Sequence, residues 1–231
     1  MSPPLFRFYL ITGLGLCGGS VDELLARAGR FLDALPRGSA AVCVRENEVG
    51  DVVLRGIVSG ARGVCRRRGA ALLVNRRCDV ALACGADGVH LGAKTVAIGD
   101  ARGILPGALV GYSAHDAHEA RRAFCRGASF VTVGPVFPSP GKGSPIGLEG
   151  LAETVESCGG RPVFSLGGID ASNVGGVFEA GAWGAAFIRA AFDGAPAPRR
   201  ASLAEALTDV YYQLQRKRFS VKIDSAVEEE I

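Results

Sequence analysis

The sequence lacks several features that would assign it to a specialised class of protein. Its 26 basic and 23 acidic side chains leave a formal net charge of only +3. Such a small surplus gives no electrostatic footprint for nucleic acid. No run of about 18 apolar residues occurs, so we expect no membrane-spanning helix. A hydrophobic fraction of 48% and a charged fraction of 21% also exclude a disordered or fibrous chain.

The seven cysteines show no disulfide or metal-binding pattern. They are odd in number and scattered, without a C-x-x-C pair or a His/Cys ligand spacing. Most lie among Ala, Val and Leu, where a free cysteine behaves as a small hydrophobic side chain. The N-terminal segment MSPPLFRFYLIT lacks the layout of a signal peptide, because an arginine interrupts its short apolar run. We therefore predict a reduced, cytoplasmic chain without a zinc site.

What the sequence does contain is a regular alternation of short apolar runs with longer helical stretches. The runs are continuous in apolar character, as expected for strands buried on both faces of a parallel sheet. The predicted strands are Phe6–Thr12, Ala40–Arg45, Ala70–Asn75, Gly88–Leu91, Leu109–Tyr112, Phe130–Gly134, Pro162–Leu166 and Ala185–Ile188. Predicted helices between them include Val21–Leu35, Val52–Arg68, Cys78–Cys84, Ala117–Cys125 and Asn173–Ala180. Eight such strands predict an α/β fold, a single (β/α)8 TIM barrel.

The chain shows no linker that would divide this barrel into two domains. We predict a barrel core at residues 1–194, with no Pro/Ser-rich break inside it. A connector and a final helix, Leu203–Gln215, follow within residues 195–215. Residues 216–231 form a charged C-terminal tail, which we interpret as a solvated extension.

The ends of the predicted strands carry a polar and mostly cationic set of side chains. In barrels of this type, catalytic groups lie at the C-terminal ends of the strands. A surplus of Arg, Lys and backbone N–H groups there suits an anionic, phosphorylated ligand. The candidate binding residues are Arg45, Asn75, Arg76, Ser113, Ser139, Lys142, Gly167, Gly168 and Arg189.

Two glycine-rich loops are candidate phosphate-binding loops. The segment SLGGID (165–170) follows the seventh strand, and its glycines let the backbone approach an anion at the start of a helix that Asp170 would cap. The segment GPVFPSPGKGSPIGLEGL (134–151) carries one cation, Lys142, and we interpret it as a mobile lid. A tight turn without a ligand and a flexible surface loop are the respective alternatives.

Several blocks, in collinear order over roughly residues 7–192, resemble the thiamine phosphate synthases and the related thiazole tautomerases. They include VNRRCDVALACGADGVHLG, GYSAHDAHEA, GASFVTVGPVFPSPGKG and PVFSLGGI. The resemblance implies a TIM barrel that acts on phosphorylated pyrimidine or thiazole fragments of thiamine. The expected partner is therefore a small phosphorylated thiazole or pyrimidine ligand, bound by a monomer or a homodimer.

The chain departs from the synthase pattern where that pattern holds Mg²⁺. The resemblance implies the motif Gln-x-Arg-Glu-Lys at residues 43–47, where this chain has CVREN. It also implies an aspartate at the position of Arg76 and acidic residues at the positions of Ala93-Lys94-Thr95. Mg²⁺ prefers carboxylate oxygens, which arginine and lysine cannot supply. We therefore expect no cofactor, and Mg²⁺ only if the protein is an ordinary synthase. Alternatively, Arg45, Arg76 and Lys94 themselves stabilise a departing pyrophosphate.

Three functional hypotheses follow. The first is an isomerase of the thiazole tautomerase type, in which the resemblance places a catalytic histidine at His115. A histidine can donate and accept a proton near neutral pH, although synthases often carry one here too, and a structural histidine is the alternative. The others are a divergent thiamine phosphate synthase and a barrel that only binds a phosphorylated ligand. We interpret His90 as a packed histidine and His118 as solvent-facing.

Overall fold

A computed structural model describes residues 4–192 and 203–216 of the chain. Eight parallel strands form a closed barrel in chain order, with β8 paired to β1. The strands are β1 Phe8–Ile11, β2 Ala40–Val44, β3 Ala71–Asn75, β4 Gly88–Leu91, β5 Leu109–Ala114, β6 Phe130–Val133, β7 Val163–Leu166 and β8 Gly184–Phe187. The predicted (β/α)8 TIM barrel is confirmed.

The helices lie in the connections between the strands. They are α1 Val21–Asp33, α2 Asp51–Arg68, α3 Cys78–Cys84, α4 Ile98–Ile104, α5 Ala117–Cys125, α6 Gly147–Ser157, α7 Val174–Glu179 and α8 Arg189–Phe192. A further helix covers residues 203–216, close to the predicted final helix. Residues 147–151, assigned from sequence to the lid loop, instead form the first turn of α6. The connector and most of the predicted tail lie outside the described residues.

Alternate residues of each strand supply two separate cores. Phe8 and Leu10 of β1 face outward and pack with the helices, whereas Tyr9 and Ile11 face into the barrel. Inside, the rings of Tyr9, Phe130 and Phe164 pack against one another with centroids 5.2–6.2 Å apart. These rings fill the middle of the barrel, and a cavity remains at the carboxyl ends of the strands.

A glycine makes room for this ring cluster. A Cβ atom at Gly111 of β5 would lie 2.5 Å from both the Phe130 ring and His90 Nδ1. Such contacts are far inside van der Waals distance, so no other residue fits there without movement. The absence of a side chain at Gly111 therefore fixes how closely His90 and Phe130 pack beneath the open end.

The cysteine side chains are free thiols, and most of them are buried. Among the seven, only Cys125 is exposed. Within the described residues, no helix is both long and apolar enough to cross a bilayer.

Candidate active site at the carboxyl ends of the strands

A cavity of about 700 Å³ opens at the carboxyl ends of the barrel strands. Nine of the ten residues predicted from sequence line it, and they come from both halves of the barrel. These nine are Arg45, Asn75, Ser113, His115, Ser139, Lys142, Gly167, Gly168 and Arg189. The tenth, Arg76, is exposed beside the cavity. The structure therefore brings these nine residues together around one cavity, and their binding and catalytic roles stay predictions.

One side of the cavity, here called the loop wall, consists of Ser139, Lys142, Gly167, Gly168 and Arg189. The Arg189 guanidinium donates a hydrogen bond from Nη2 to Ser139 Oγ over 3.0 Å, which joins the loop after β6 to the start of α8. Cations and a hydroxyl are thus gathered on one side of the opening. Such a group suits the oxygens of a phosphate.

A tight turn positions Lys142 on this wall. The Lys142 N–H donates to the Ser139 carbonyl over 3.1 Å, and Gly141 between them has φ +73°. Proline at the second position and glycine at the third are the residues that a type II turn favours. The sequence SPGK therefore forms a local turn that places the exposed lysine at the cavity mouth.

The two glycines of the loop wall are required by packing. Gly167 and Gly168 have φ of +99° and +67°, and a Cβ on either would lie 2.7 Å from Pro135 or Phe137. The Phe137 N–H also donates to the Gly167 carbonyl over 3.1 Å. Close contact between the loops after β6 and β7 thus accounts for both glycines, and it leaves their backbone lining the cavity.

The helix after this loop begins within one residue of its predicted start, but the cap predicted at Asp170 is wrong. Helix α7 begins at Val174, with Asn173 at its N-cap, and Asp170 does not cap it. Instead, the Asp170 carboxylate accepts hydrogen bonds from the N–H and hydroxyl of Ser172 over 2.8 and 2.6 Å. This local turn precedes the helix, and it forms because a short Asp side chain binds nearby backbone N–H groups. Anion binding here would therefore depend on loop backbone and cations.

The opposite side of the cavity, here called the strand wall, consists of Arg45, Asn75, His90 and Ser113. His90 is 4% exposed and bridges two hydroxyl groups. Its Nδ1 lies 3.1 Å from Tyr9 Oη, and its Nε2 lies 2.9 Å from Ser113 Oγ. Burial and the nearby Arg45 guanidinium lower the pKa of His90 to about 4, so the imidazole is neutral near pH 7.

Sequence reasoning gave His90 only a packing role. It is packed as predicted, but it also lines the cavity. Strand parity is the signal that was missed: Val89 and Leu91 belong to the outer core, so His90 between them must face the barrel interior. A neutral imidazole has one donor and one acceptor, and the two hydroxyls therefore take complementary roles around it.

A polar brace holds Arg45 at the end of β2. The Glu46 carboxylate accepts from Thr12 Oγ1 over 2.5 Å and from the Leu14 N–H over 2.8 Å, and the Arg45 N–H donates to Thr12 Oγ1 over 2.9 Å. The Arg45 Nε atom is buried and has no hydrogen-bond partner in the described part of the chain. A buried guanidinium N–H without an acceptor is unfavourable, and an anionic ligand in the cavity would supply the acceptor.

Cys43 lines the cavity at the position where the synthase pattern has glutamine. Burial raises the pKa of the Cys43 thiol to about 12. A thiol in this state is protonated near neutral pH and is a poor nucleophile. Cys43 therefore lines the cavity as a small, uncharged side chain.

His115 lies at the mouth of the cavity. Its side chain is 73% exposed, and its Nδ1 lies 3.0 Å from Glu119 Oε2, one helical turn away. His118 is exposed on α5, as predicted. Of the three histidines, the one enclosed by the cavity wall is thus His90.

The two positions at which the resemblance implied Mg²⁺ ligands lie side by side but carry cations. Arg76 Nη2 donates to the Lys94 carbonyl over 3.4 Å, and Asn75 Nδ2 donates to Asn47 Oδ1 over 3.0 Å. Among the described residues, no cluster of three or more His, Cys, Asp or Glu side chains forms a metal site. Proteins usually hold Mg²⁺ through one or two carboxylates, and the cationic side chains at Arg76 and Lys94 do not fit that role.

Fold and site together define a (β/α)8 barrel with a cationic cavity at the carboxyl ends of its strands. A family profile described as thiamine monophosphate synthase matches residues 8–191. The chain belongs to this family.

Individual relatives agree with that assignment. A putative thiamine-phosphate synthase of Geobacter sulfurreducens is 41% identical over 189 residues, which cover 80% of this chain and 86% of the relative. The thiamine-phosphate synthase of Moorella thermoacetica is 37% identical over 204 residues, covering 85% and 94%. The solved thiamine phosphate pyrophosphorylase from Pyrococcus furiosus superposes with a TM-score of 0.79 at 30% identity, covering 91% and 97%. These likenesses support the synthase alternative better than the tautomerase hypothesis.

Proposed function

We propose that the protein is a transferase that joins a pyrimidine diphosphate to a thiazole phosphate. The observation that carries this proposal is a single cavity with anion-binding groups on two different walls. The strand wall offers Arg45 with an unpaired buried Nε, and the loop wall offers Lys142 and Arg189. A condensation of two phosphorylated substrates needs two such sites within one cavity.

In this reaction, the carbon–oxygen bond between the pyrimidine's carbon substituent and the diphosphate breaks, and its electron pair leaves with the diphosphate. The thiazole ring nitrogen supplies the electron pair for the new carbon–nitrogen bond. The products are thiamine phosphate and pyrophosphate. Because negative charge accumulates on the leaving group, fixed cations beside it lower the activation free energy of the reaction.

The two walls receive different roles in this proposal. On the loop wall, Lys142, Arg189 and the glycine backbone hold the phosphate of the thiazole. On the strand wall, Arg45 faces the diphosphate, and the Ser113 hydroxyl contacts the substrates in an orientation set by His90. These assignments agree with the arrangement of hydrogen bonds on each wall.

The experiment is a condensation assay that measures thiamine phosphate and pyrophosphate from the two synthetic substrates. We expect both products in equal amounts. Conversion of a thiazole phosphate carboxylate to its tautomer, without condensation, would restore the isomerase hypothesis. If both substrates raised the melting temperature and neither reaction occurred, the barrel would be a binding protein only.

A further inference from the structure

We propose that this chain supplies, through Arg76 and Lys94, the positive charge that a divalent metal ion would otherwise supply to the diphosphate. The inference rests on the proposed function for its substrate, but the binding property it describes can be measured separately. It concerns the edge of the cavity formed by the ends of β3 and β4, which pair directly, with Asn75 opposite His90.

The backbone brings the two cations together. The Arg76 N–H donates to the His90 carbonyl over 2.9 Å, which extends the pairing of β3 with β4 by one residue. The Arg76 guanidinium then reaches the loop after β4 and contacts the Lys94 carbonyl. Both side chains are exposed, so they are accessible to a ligand that enters the mouth.

Arg76 adopts a conformation that an arginine rarely takes. Its φ is +66°, and it is the one non-glycine residue with a positive φ among residues 4–192 and 203–216. This left-handed region favours glycine, asparagine and aspartate, and strained residues of other types cluster at ligand sites. The conformation turns the chain sharply after Asn75, and it directs the long cationic side chain across the end of β4.

The charge at this edge is not neutralised by the protein. Neither Arg76 nor Lys94 forms an ion pair in the described part of the chain. The neighbouring carboxylates are engaged elsewhere: Glu46 with Thr12 and Leu14, and Asp51 and Asp79 with Arg77. An anion bound at this edge would therefore meet two positive charges that no carboxylate of the described residues neutralises.

The residues that differ from the synthase pattern at this edge leave its net charge positive. In that pattern a lysine, two carboxylates and one divalent cation leave one net positive charge. Here Asn47 is neutral and bonded to Asn75, and Arg76 and Lys94 leave two positive charges without a metal. Guanidinium groups bind phosphate oxygens through paired N–H donors. The same edge can thus bind a diphosphate directly.

The test is calorimetric titration of the full chain with inorganic pyrophosphate at constant ionic strength, once with EDTA and once with Mg²⁺. We expect the wild type to bind in EDTA. The double variant Arg76→Asp/Lys94→Asp should bind at least roughly tenfold more weakly in EDTA, because two charge-assisted contacts are lost. Its affinity should recover with Mg²⁺, because the substitutions restore two carboxylates.

The matched control is Arg55→Asp/Arg121→Asp, which changes the net charge equally on the exposed outer faces of α2 and α5. It should bind pyrophosphate like the wild type. The inference is overturned if wild-type binding requires Mg²⁺, or if the Arg76/Lys94 variant binds equally well in EDTA. Binding in EDTA without any condensation would refute the proposed function alone, whereas condensation that depends on Mg²⁺ would refute the inference alone.

Discussion

The loop wall and the strand wall of the cavity differ in how their polar groups are fixed. On the loop wall, Lys142 is exposed on a tight turn and Arg189 is anchored by a single hydroxyl. On the strand wall, His90 and the Arg45 Nε are buried, and a chain of hydrogen bonds runs from Tyr9 through His90 to Ser113. A rigid wall pre-organises charge for a reaction, whereas exposed loop groups adapt to an incoming substrate.

The strand wall should therefore be the more sensitive of the two to substitution. The largest effect is expected for Arg45→Ala, because Arg45 is the cation whose buried Nε lacks a partner. We expect kcat/KM for condensation to fall by about 10²–10³, as for the loss of a pre-organised donor to a developing negative charge. Arg55→Ala, on the outer face of α2, is the control and should leave kcat/KM unchanged. An equal loss in both variants would contradict the comparison.

The buried histidine gives the strand wall a dependence of stability on pH. The pKa of His90 is lowered from 6.5 to about 4, so the unfolded chain binds this proton at a higher pH than the native chain. Stability from this group is complete above about pH 6.5 and is lost as the pH falls toward 4, by up to about 3 kcal/mol. Denaturant unfolding at pH 7 and pH 5 measures it. In the His90→Gln variant, the free energy of unfolding should change less between pH 7 and pH 5. An unchanged dependence on pH would show that His90 is not the group responsible.

On the loop wall, Gly168 is a position at which a side chain does not fit. An alanine there would hold φ near +67° and place its Cβ 2.7 Å from Phe137 Cβ. We expect a stability loss of about 1–3 kcal/mol and weaker binding of thiazole phosphate, because the loop after β7 must move. Thermal unfolding with and without the ligand measures both effects. Gly175→Ala, with open space around its Cβ position, is the control and should be close to wild type.

The smallest effect is expected for His115→Gln. The side chain is largely exposed and pairs with Glu119 at the mouth, so condensation should change by less than about threefold, within the range of ordinary surface substitutions. Steady-state kinetics beside the His90→Gln variant provides the comparison. A loss of 10²-fold or more would make His115 a general acid or base after all.

The barrel was predictable from the sequence because eight apolar runs alternate with helices. Nine of the ten predicted site residues line the cavity, because the ends of parallel strands meet at one edge of a barrel. The sequence did not predict the brace from Glu46 to Thr12 and Leu14, since those groups are more than thirty residues apart. It also predicted Asp170 as a helix cap, because a local Asx turn and a helix cap share a sequence signature. The replacement of acids by Arg76 and Lys94 was visible in the sequence, but their contact needed the pairing of β3 with β4.

In our proposal, the chain itself provides the cationic edge of the cavity that receives the diphosphate. The most direct measurement is the initial rate of thiamine phosphate formation by the wild-type protein in EDTA and in excess Mg²⁺. We expect product in EDTA at a rate within about threefold of the rate with Mg²⁺, since fixed cations already stabilise the leaving group. Formation of thiamine phosphate only in the presence of Mg²⁺ would contradict the proposal.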